Sequence, residues 1–146
     1  MPKALSVTQP MAWAIVKGFK LYENRDWRTA YRGKFWIHAS KKFNEEHYQW
    51  MLENQEALGI PEIPDRGDFI HGAIIGEAEL LSLVDAADSP WFEGPIALRL
   101  GSPKEYEKPV YCRGHLGFFE VTNVREAIGG TLVADTRMKG NGGIVR

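Results

Sequence analysis

The chain has 146 residues, of which 44% are apolar and 25% are charged. This length suits one domain, and this composition can fill a hydrophobic core, which excludes a disordered protein. The single cysteine, Cys112, excludes an intrachain disulfide framework, and no apolar run approaches the ~20 residues that a membrane-spanning helix requires. We therefore expect a soluble, cytoplasmic protein without a signal peptide.

The net charge is −1, from 18 basic and 19 acidic residues, but the charges are unevenly distributed along the chain. Residues 1–42 contain nine Lys or Arg and two Asp or Glu, a balance of +7. Residues 43–107 contain three basic and fourteen acidic residues, −11, and residues 108–146 return to +3. Basic ends around an acidic middle can form one basic face, or the charges can scatter over the whole surface.

The first part of the chain predicts strands on either side of a helix. Alternating polarity predicts a strand over residues 3–8, and Pro10 suits the first position of a helix over residues 11–17. Residues 20–27 and residues 33–40 are expected to be the second and third strands.

A second helix and further strands follow. Asn44 is the expected N-cap of this helix, which ends at Gly59, and residues 72–84 predict a long strand with a bulge at Gly76. Three short strands are expected over residues 96–100, 109–112 and 116–121.

The element count predicts an α+β fold over residues 1–127. About six short strands and two helices favour a small mixed barrel, with the first helix plugging one side and the second packed outside. Residues 128–146 are rich in glycine and poor in large apolar groups, so we expect them to form a flexible tail.

The most informative motif is Gly-x-Lys-x-x-Glu-x-Arg at residues 18–25. Together with the Gln9-Pro10 turn, the Arg32-Gly33 step and segments 91–95 and 109–117, it resembles the ASCH family, as found in bacteria and phages. The resemblance covers roughly residues 3–123. It implies a barrel similar to the PUA RNA-binding fold, and RNA as the partner.

The charged residues of this motif have two interpretations. Lys20, Glu23 and Arg25 in one cleft can bind a phosphate, hydrogen-bond a base edge or shift one another's pKa. The alternative is a structural ion-pair network on a strand.

Aromatic and basic residues alternate here, a mixture that is typical of sites for single-stranded nucleic acid, in which cations contact phosphates and rings stack on bases. Trp27 and Tyr31, flanked by Arg28 and Arg32, are expected to be exposed and to stack, although a tryptophan is more often buried in a core. The predicted nucleic-acid-binding residues are Gln9, Lys20, Arg25, Trp27, Arg28, Tyr31, Arg32, Ser40, Lys41 and Arg113.

A metal-independent hydrolase in the same cleft is the alternative function. Glu23, His38 and Lys20 can serve as base, acid and phosphate-binding cation in the cleavage of single-stranded RNA. The resemblance also implies an amidohydrolase that acts on acylated cytidine. Lys20 matches the lysine of that set, but Glu23 occupies the position of its threonine nucleophile.

Neither a metal nor another cofactor is expected. Cys112 and His115 have a two-residue gap, but no second pair with ligand spacing occurs. We therefore expect a protein that recognises single-stranded RNA or a modified nucleobase in a basic, aromatic cleft. A third possibility is a protein-interaction module that uses the acidic helix at residues 44–58.

Overall fold

The computed structural model describes residues 3–138. A 3-10 turn at Arg66–Asp68 lies between the second helix and the fourth strand. The helices and strands are β1 (Lys3–Gln9), α1 (Met11–Val16), β2 (Tyr22–Arg25), β3 (Gly33–Phe43), α2 (Glu45–Glu53), β4 (Ala73–Val84), β5 (Ile96–Tyr111), β6 (Phe118–Glu126) and β7 (Leu132–Met138).

Six of these strands close into a mixed barrel within the described part of the chain. The strand order is β5-β4-β3-β1-β6-β7, and the ring closes where Val110 and Tyr111 of β5 pair in parallel with Leu132 and Val133 of β7. β2 lies outside the ring and pairs antiparallel with the first residues of β5. The predicted α+β, PUA-like barrel is confirmed.

The two helices differ in burial. α1 contributes five of its six residues to the core and packs against β1, β3, β4 and β5, whereas α2 buries only Met51. Asn44 caps α2 as predicted, because its side chain accepts a hydrogen bond of 2.9 Å from the backbone N–H of His47. α2 ends at Glu53, and residues 54–59 continue as turns. Neither described helix is long and apolar enough to cross a membrane.

The sequence prediction is wrong for β5. Residues 96–100 and 109–112 were expected to form separate strands, yet Ile96–Tyr111 is one strand. The segment between them looks like a loop because it contains Gly101, Pro103 and several charged residues. It nevertheless pairs with β4 through three register shifts, which accommodate these residues without ending the strand.

The predicted flexible tail is also wrong over Leu132–Met138, which forms β7 and pairs with β6 along its length. β7 follows β6 through a turn at residues 127–131, and two glycines that suggested a flexible tail, Gly129 and Gly130, have positive φ in this turn. A short strand of mixed polarity gives little local signal of its own. Residues 139–146, the rest of the predicted tail, lie outside the described residues.

Gly76 brings α1 close to the barrel wall. The predicted bulge is confirmed there, since the register shifts between Ile74 and Gly76. A Cβ atom at Gly76 would lie 2.2 Å from the carbonyl oxygen of Lys104 and 2.6 Å from Cγ1 of Val16. Only a residue without a side chain allows this contact between helix and barrel.

We therefore expect Gly76→Ala to lower the free energy of unfolding by about 3 kcal/mol, because neither a carbonyl in a strand nor a packed valine can move aside cheaply. Urea denaturation measures the change. Gly67→Ala is the matched control, since a Cβ atom there meets nothing within 4 Å, and its effect should stay within about 0.5 kcal/mol. Equal effects of the two substitutions would contradict this account of the helix–barrel contact.

Candidate nucleic-acid interface

A cavity of about 420 Å³, here called the first cavity, opens beside the start of β2. The end of β1, α2 and the loop before β5 form its other walls. Its lining residues are Val7, Thr8, Met11, Lys20, Glu23, Asn24, Glu46, His47, Trp50, Pro90, Trp91 and Glu93.

A buried ion-pair network lies on one wall of the first cavity. Lys20 and Glu23 are only 3% and 8% exposed, and Lys20 Nζ lies 3.1 Å from Glu23 Oε1. The ammonium group also donates to the carbonyl oxygen of Tyr22. On the other carboxylate oxygen, Glu23 Oε2 accepts from Nε and Nη2 of Arg25 at 3.0 and 2.8 Å. One carboxylate therefore holds two cations.

The network keeps Glu23 ionised. Burial by itself raises the pKa of Glu23, but the charges and hydrogen bonds of Lys20 and Arg25 outweigh burial and hold it below its ordinary value. Burying such ions carries a large desolvation cost, which their mutual attraction does little more than offset. The network is therefore better explained as a way to position charges at a cavity than as a source of stability.

Two tryptophans form the aromatic wall of the first cavity. The rings of Trp50 and Trp91 meet edge to face, with centroids 5.2 Å apart. Asn24 holds the loop that carries Trp91: its side chain donates to the carbonyl of Trp91 and accepts from the N–H groups of Glu93 and Gly94. The loop that carries Trp91 is thus fixed to β2 at the residue directly after Glu23.

A second, wider cavity of about 880 Å³ lies along β3 and the loop between β5 and β6. Three cations, Lys41, Lys42 and Arg113, line it, and its described lining contains no carboxylate. The lining residues are Ser6, His38, Ser40, Lys41, Lys42, Gly72, Tyr111, Cys112, Arg113, Gly114, His115 and Leu116.

Both ring nitrogens of His38 are occupied. Nε2 lies 2.9 Å from the carbonyl oxygen of Cys112, which can only accept, so Nε2 carries a proton. Burial lowers the pKa of His38, so the ring is neutral at pH 7, and Nδ1 accepts from the hydroxyl of Ser6 at 2.8 Å. Burial also raises the pKa of the Cys112 thiol to about 11, which leaves the thiol unreactive at neutral pH.

Gly114 is required by this packing. A Cβ atom there would lie 2.5 Å from Ser6 Oγ and 2.8 Å from Cε1 of His38. The backbone of the β5–β6 loop therefore lies directly against the Ser6–His38 pair, and this contact holds Arg113 and His115 at the cavity.

His115 is oriented from β7. Its Nε2 lies 2.9 Å from the hydroxyl of Thr136, which in turn donates to the carbonyl of Arg113 at 2.7 Å. Because the threonine proton is used in that second bond, the hydroxyl oxygen accepts from Nε2–H of His115. Burial and the nearby Arg113 lower the pKa of His115, and its ring packs edge to face on Phe119. Nδ1 of the neutral ring is therefore an acceptor.

β1 borders both cavities. Ser6 lines the second cavity, and the next two residues, Val7 and Thr8, line the first. Arg25 joins the two regions, because Nη2 donates both to Glu23 Oε2 and, at 2.8 Å, to the carbonyl of Ser6.

The predicted catalytic residues are not brought together. Lys20 and Glu23 line the first cavity, whereas His38 lines the second and is bonded to Ser6 and Cys112. Strand parity predicts which face His38 occupies, but the order and register of the paired strands decide which side chains share that face.

The predicted binding residues separate into groups. Ser40, Lys41 and Arg113 line the second cavity. Gln9 is buried and structural, because its side chain donates to the carbonyl of Ile70 and accepts from the N–H of Trp13.

The arginines and rings of the β2–β3 loop line neither cavity. Trp27 and Tyr31 are half-buried against Phe118, with ring centroids 5.9 and 5.4 Å from it, so the expected exposure of these rings is wrong. Arg28 is exposed, and Arg32 donates to backbone carbonyls within its own loop.

Several residues of the site are missed by sequence reasoning. Trp50 fits the apolar stripe of a helix, and His115 attracts notice only as a metal ligand. Trp91 and Asn24 lie in segments that carry the family resemblance, and this is the one signal that pointed to them. Within residues 3–138, no cluster of three or more His, Cys, Asp or Glu side chains is arranged to hold a metal ion.

This chain is similar to several known proteins. Human and mouse activating signal cointegrator 1 are 32% and 30% identical over 78 residues, which are 53% of this chain and 13% of each relative. This chain thus spans a small part of those relatives. Two crystal structures of an ASCH protein from Zymomonas mobilis, one of them a point variant, are 20% identical. They cover 75% and 74% of this chain, and 75% and 71% of their own, with TM-scores of 0.44 and 0.42.

The family model of the ASCH domain matches residues 5–127, a span that contains every described residue lining the two cavities. This match covers most of the chain, and the barrel has the architecture that the resemblance implies. The chain belongs to the ASCH-domain family.

Proposed function

We propose that this ASCH domain binds single-stranded RNA, with one base in the first cavity and the adjoining phosphates in the second. The observation that carries the proposal is the charged pair of Lys20 and Glu23, almost fully buried yet lining an open cavity. The family's resemblance to PUA-like RNA-binding domains supports the same ligand class.

The buried pair can read the edge of a base. An ammonium group has three N–H donors, and the described contacts of Lys20 use two of them, on Tyr22 and Glu23. Oε1 of Glu23 accepts from Lys20 alone and retains acceptor capacity beside it, whereas Oε2 already accepts two hydrogen bonds from Arg25. The first cavity thus presents a donor and an acceptor at fixed positions, in a volume typical of small-molecule sites.

The remaining walls favour a neutral, flat group. Trp50 and Trp91 offer aromatic surface on which a base can stack. Glu46 and Glu93 also line this cavity and repel a phosphate. The first cavity is therefore suited to a base, standard or modified, and not to the phosphate backbone.

The second cavity has the complementary character. Lys41, Lys42 and Arg113 supply cations, and no described lining residue is a carboxylate. Because neighbouring residues of β1 line both cavities, Ser6 the second and Val7 and Thr8 the first, we expect one strand of RNA to reach both.

The phosphate contacts can be tested by the salt dependence of binding to a short single-stranded RNA. Each contact contributes about −0.7 to the slope of log K against log salt concentration, so Lys41→Ala with Arg113→Ala should reduce its magnitude by about 1.4. Arg28→Ala with Arg32→Ala is the matched control, since it removes two cations that line neither cavity, and its slope should stay at the wild-type value. The reverse pattern would place the phosphates on the β2–β3 loop instead.

The aromatic wall can be tested by Trp50→Leu. Loss of a stacked base costs about 1–3 kcal/mol, so the affinity for RNA should fall at least fivefold with an unchanged salt slope. Trp27→Leu removes a half-buried tryptophan outside both cavities and should leave the affinity within twofold. Fluorescence anisotropy with a labelled RNA measures both. A larger loss for Trp27→Leu would show that the predicted stacking residue, and not Trp50, meets the base.

The buried cation can be tested by Lys20→Met. We expect about a tenfold loss of affinity with an unchanged salt slope, since Lys20 is proposed to meet a base edge and not a phosphate. The fold should persist at a cost of about 1–3 kcal/mol, because Glu23 keeps both hydrogen bonds to Arg25. Urea denaturation and anisotropy separate the two effects. If Lys20→Met folds and binds RNA with full affinity, the Lys20–Glu23 pair is only a structural network and does not contact the base.

A further inference from the structure

His115 is the histidine of the second cavity that can meet a ligand. The nitrogens of His38 are both bonded within the protein, to Ser6 and Cys112. In His115, Nε2 is bonded to Thr136, and no described residue donates to Nδ1. Among the described residues, the only buried side-chain atom without a hydrogen-bond partner is Nδ1 of His47. Nδ1 of His115 also has no described partner, so it is not buried and can be reached from solvent.

The ring of His115 is held in place before any ligand arrives. Thr136 fixes which nitrogen carries the proton, and its own hydrogen bond to the carbonyl of Arg113 keeps the hydroxyl from rotating. Phe119 packs against the ring with centroids 5.3 Å apart. A neutral acceptor is therefore presented at a fixed position, at little entropic cost on binding.

The surroundings of this acceptor define the ligand. Arg113 is two residues away, Lys41 and Lys42 line the same cavity, and the described lining contains no carboxylate. An acceptor among cations suits a group that carries a negative charge and, close to it, a hydroxyl that donates. The phosphate and 2′-hydroxyl of a ribonucleotide have this chemistry, and a deoxyribonucleotide lacks the hydroxyl.

We propose that His115 makes the second cavity selective for RNA over DNA, with Nδ1 accepting a hydrogen bond from a ribose 2′-hydroxyl. This inference rests on the proposed function, because it requires that the nucleic-acid backbone occupies the second cavity. The orienting residue, Thr136, belongs to β7 and lies beyond residues 5–127, the span of the family match.

The test compares four short single strands of one base sequence, made of RNA, DNA, 2′-fluoro RNA and 2′-O-methyl RNA, on the full chain. The wild-type protein should bind RNA about three- to tenfold more tightly than the other three, the range expected for one hydrogen bond. The fluoro strand carries an electronegative 2′ group without a donor, so it isolates the hydrogen bond from effects of sugar shape.

Three variants of the histidine make the test specific. His115→Phe keeps the ring packing on Phe119 and removes the acceptor, so its affinity for RNA should fall to the DNA level while its affinity for DNA stays unchanged. His115→Asn places an amide oxygen near the position of Nδ1 and should retain part of the preference. His115→Gln places its amide near Nε2, keeps the contact with Thr136 and should lose the preference.

The outcomes separate the two proposals. Equal affinity of the wild-type protein for RNA and DNA overturns the inference and leaves RNA binding in place. An equal loss of RNA and DNA affinity in the folded His115→Phe and His115→Gln variants overturns it as well, since His115 would then act on the backbone in general. A chain that binds none of the four strands at low salt overturns the proposed function, and this inference with it.

Discussion

The carboxylate of Glu23 is the contact on which the site depends. Its two oxygens bind different cations, Lys20 on one and Arg25 on the other. Arg25 extends the network to the carbonyl of Ser6, which belongs to the strand between the two cavities. Removal of this carboxylate would leave the buried Lys20 without its counter-ion, a change that commonly costs 3–5 kcal/mol, and would take from Arg25 its carboxylate partner. The spacing of the motif thus encodes one rigid unit that joins the first cavity to the second.

β7, the strand that closes the barrel, likewise positions residues of the second cavity. β7 completes the ring by pairing with both β6 and β5, and the same strand supplies Thr136 to His115. The β5–β6 loop is held from two directions. Thr136 of β7 bonds to the carbonyl of Arg113, and on the other side His38 bonds to the carbonyl of Cys112 while Gly114 lies against Ser6 and His38. β7 therefore both closes the barrel and orients His115 at the second cavity, and an open sheet would leave the loop without its contact to Thr136.

Local signals predicted much of the fold. Alternating polarity located β1, Asn44 located the start of α2, and Gly76 located the bulge, because each depends on its own neighbours in sequence. β5 contains Gly101 and Pro103, and β7 is short and of mixed polarity, so pairing with neighbouring strands forms both where their own residues give little signal. The site follows the same division. Lys20, Glu23 and Arg25 lie within six residues of one another and were predicted as a unit, whereas His38 meets Ser6 through the β1–β3 pairing and Cys112 through the β5–β6 loop, both far from it in sequence.

The uneven distribution of charge along the chain corresponds to the different charges of the two cavities. The basic first and last segments supply Lys41, Lys42 and Arg113 to the second cavity, and the acidic middle segment supplies Glu46 and Glu93 to the first. Because neighbouring residues of β1 line the two cavities, a phosphate at either one would experience the charges of both. It would be attracted to one cavity and repelled from the other, so the backbone of a bound strand could settle in only one register. A net charge near zero is therefore compatible with the proposed binding of a polyanion, since opposite local charges orient the strand where a uniformly basic surface would only attract it.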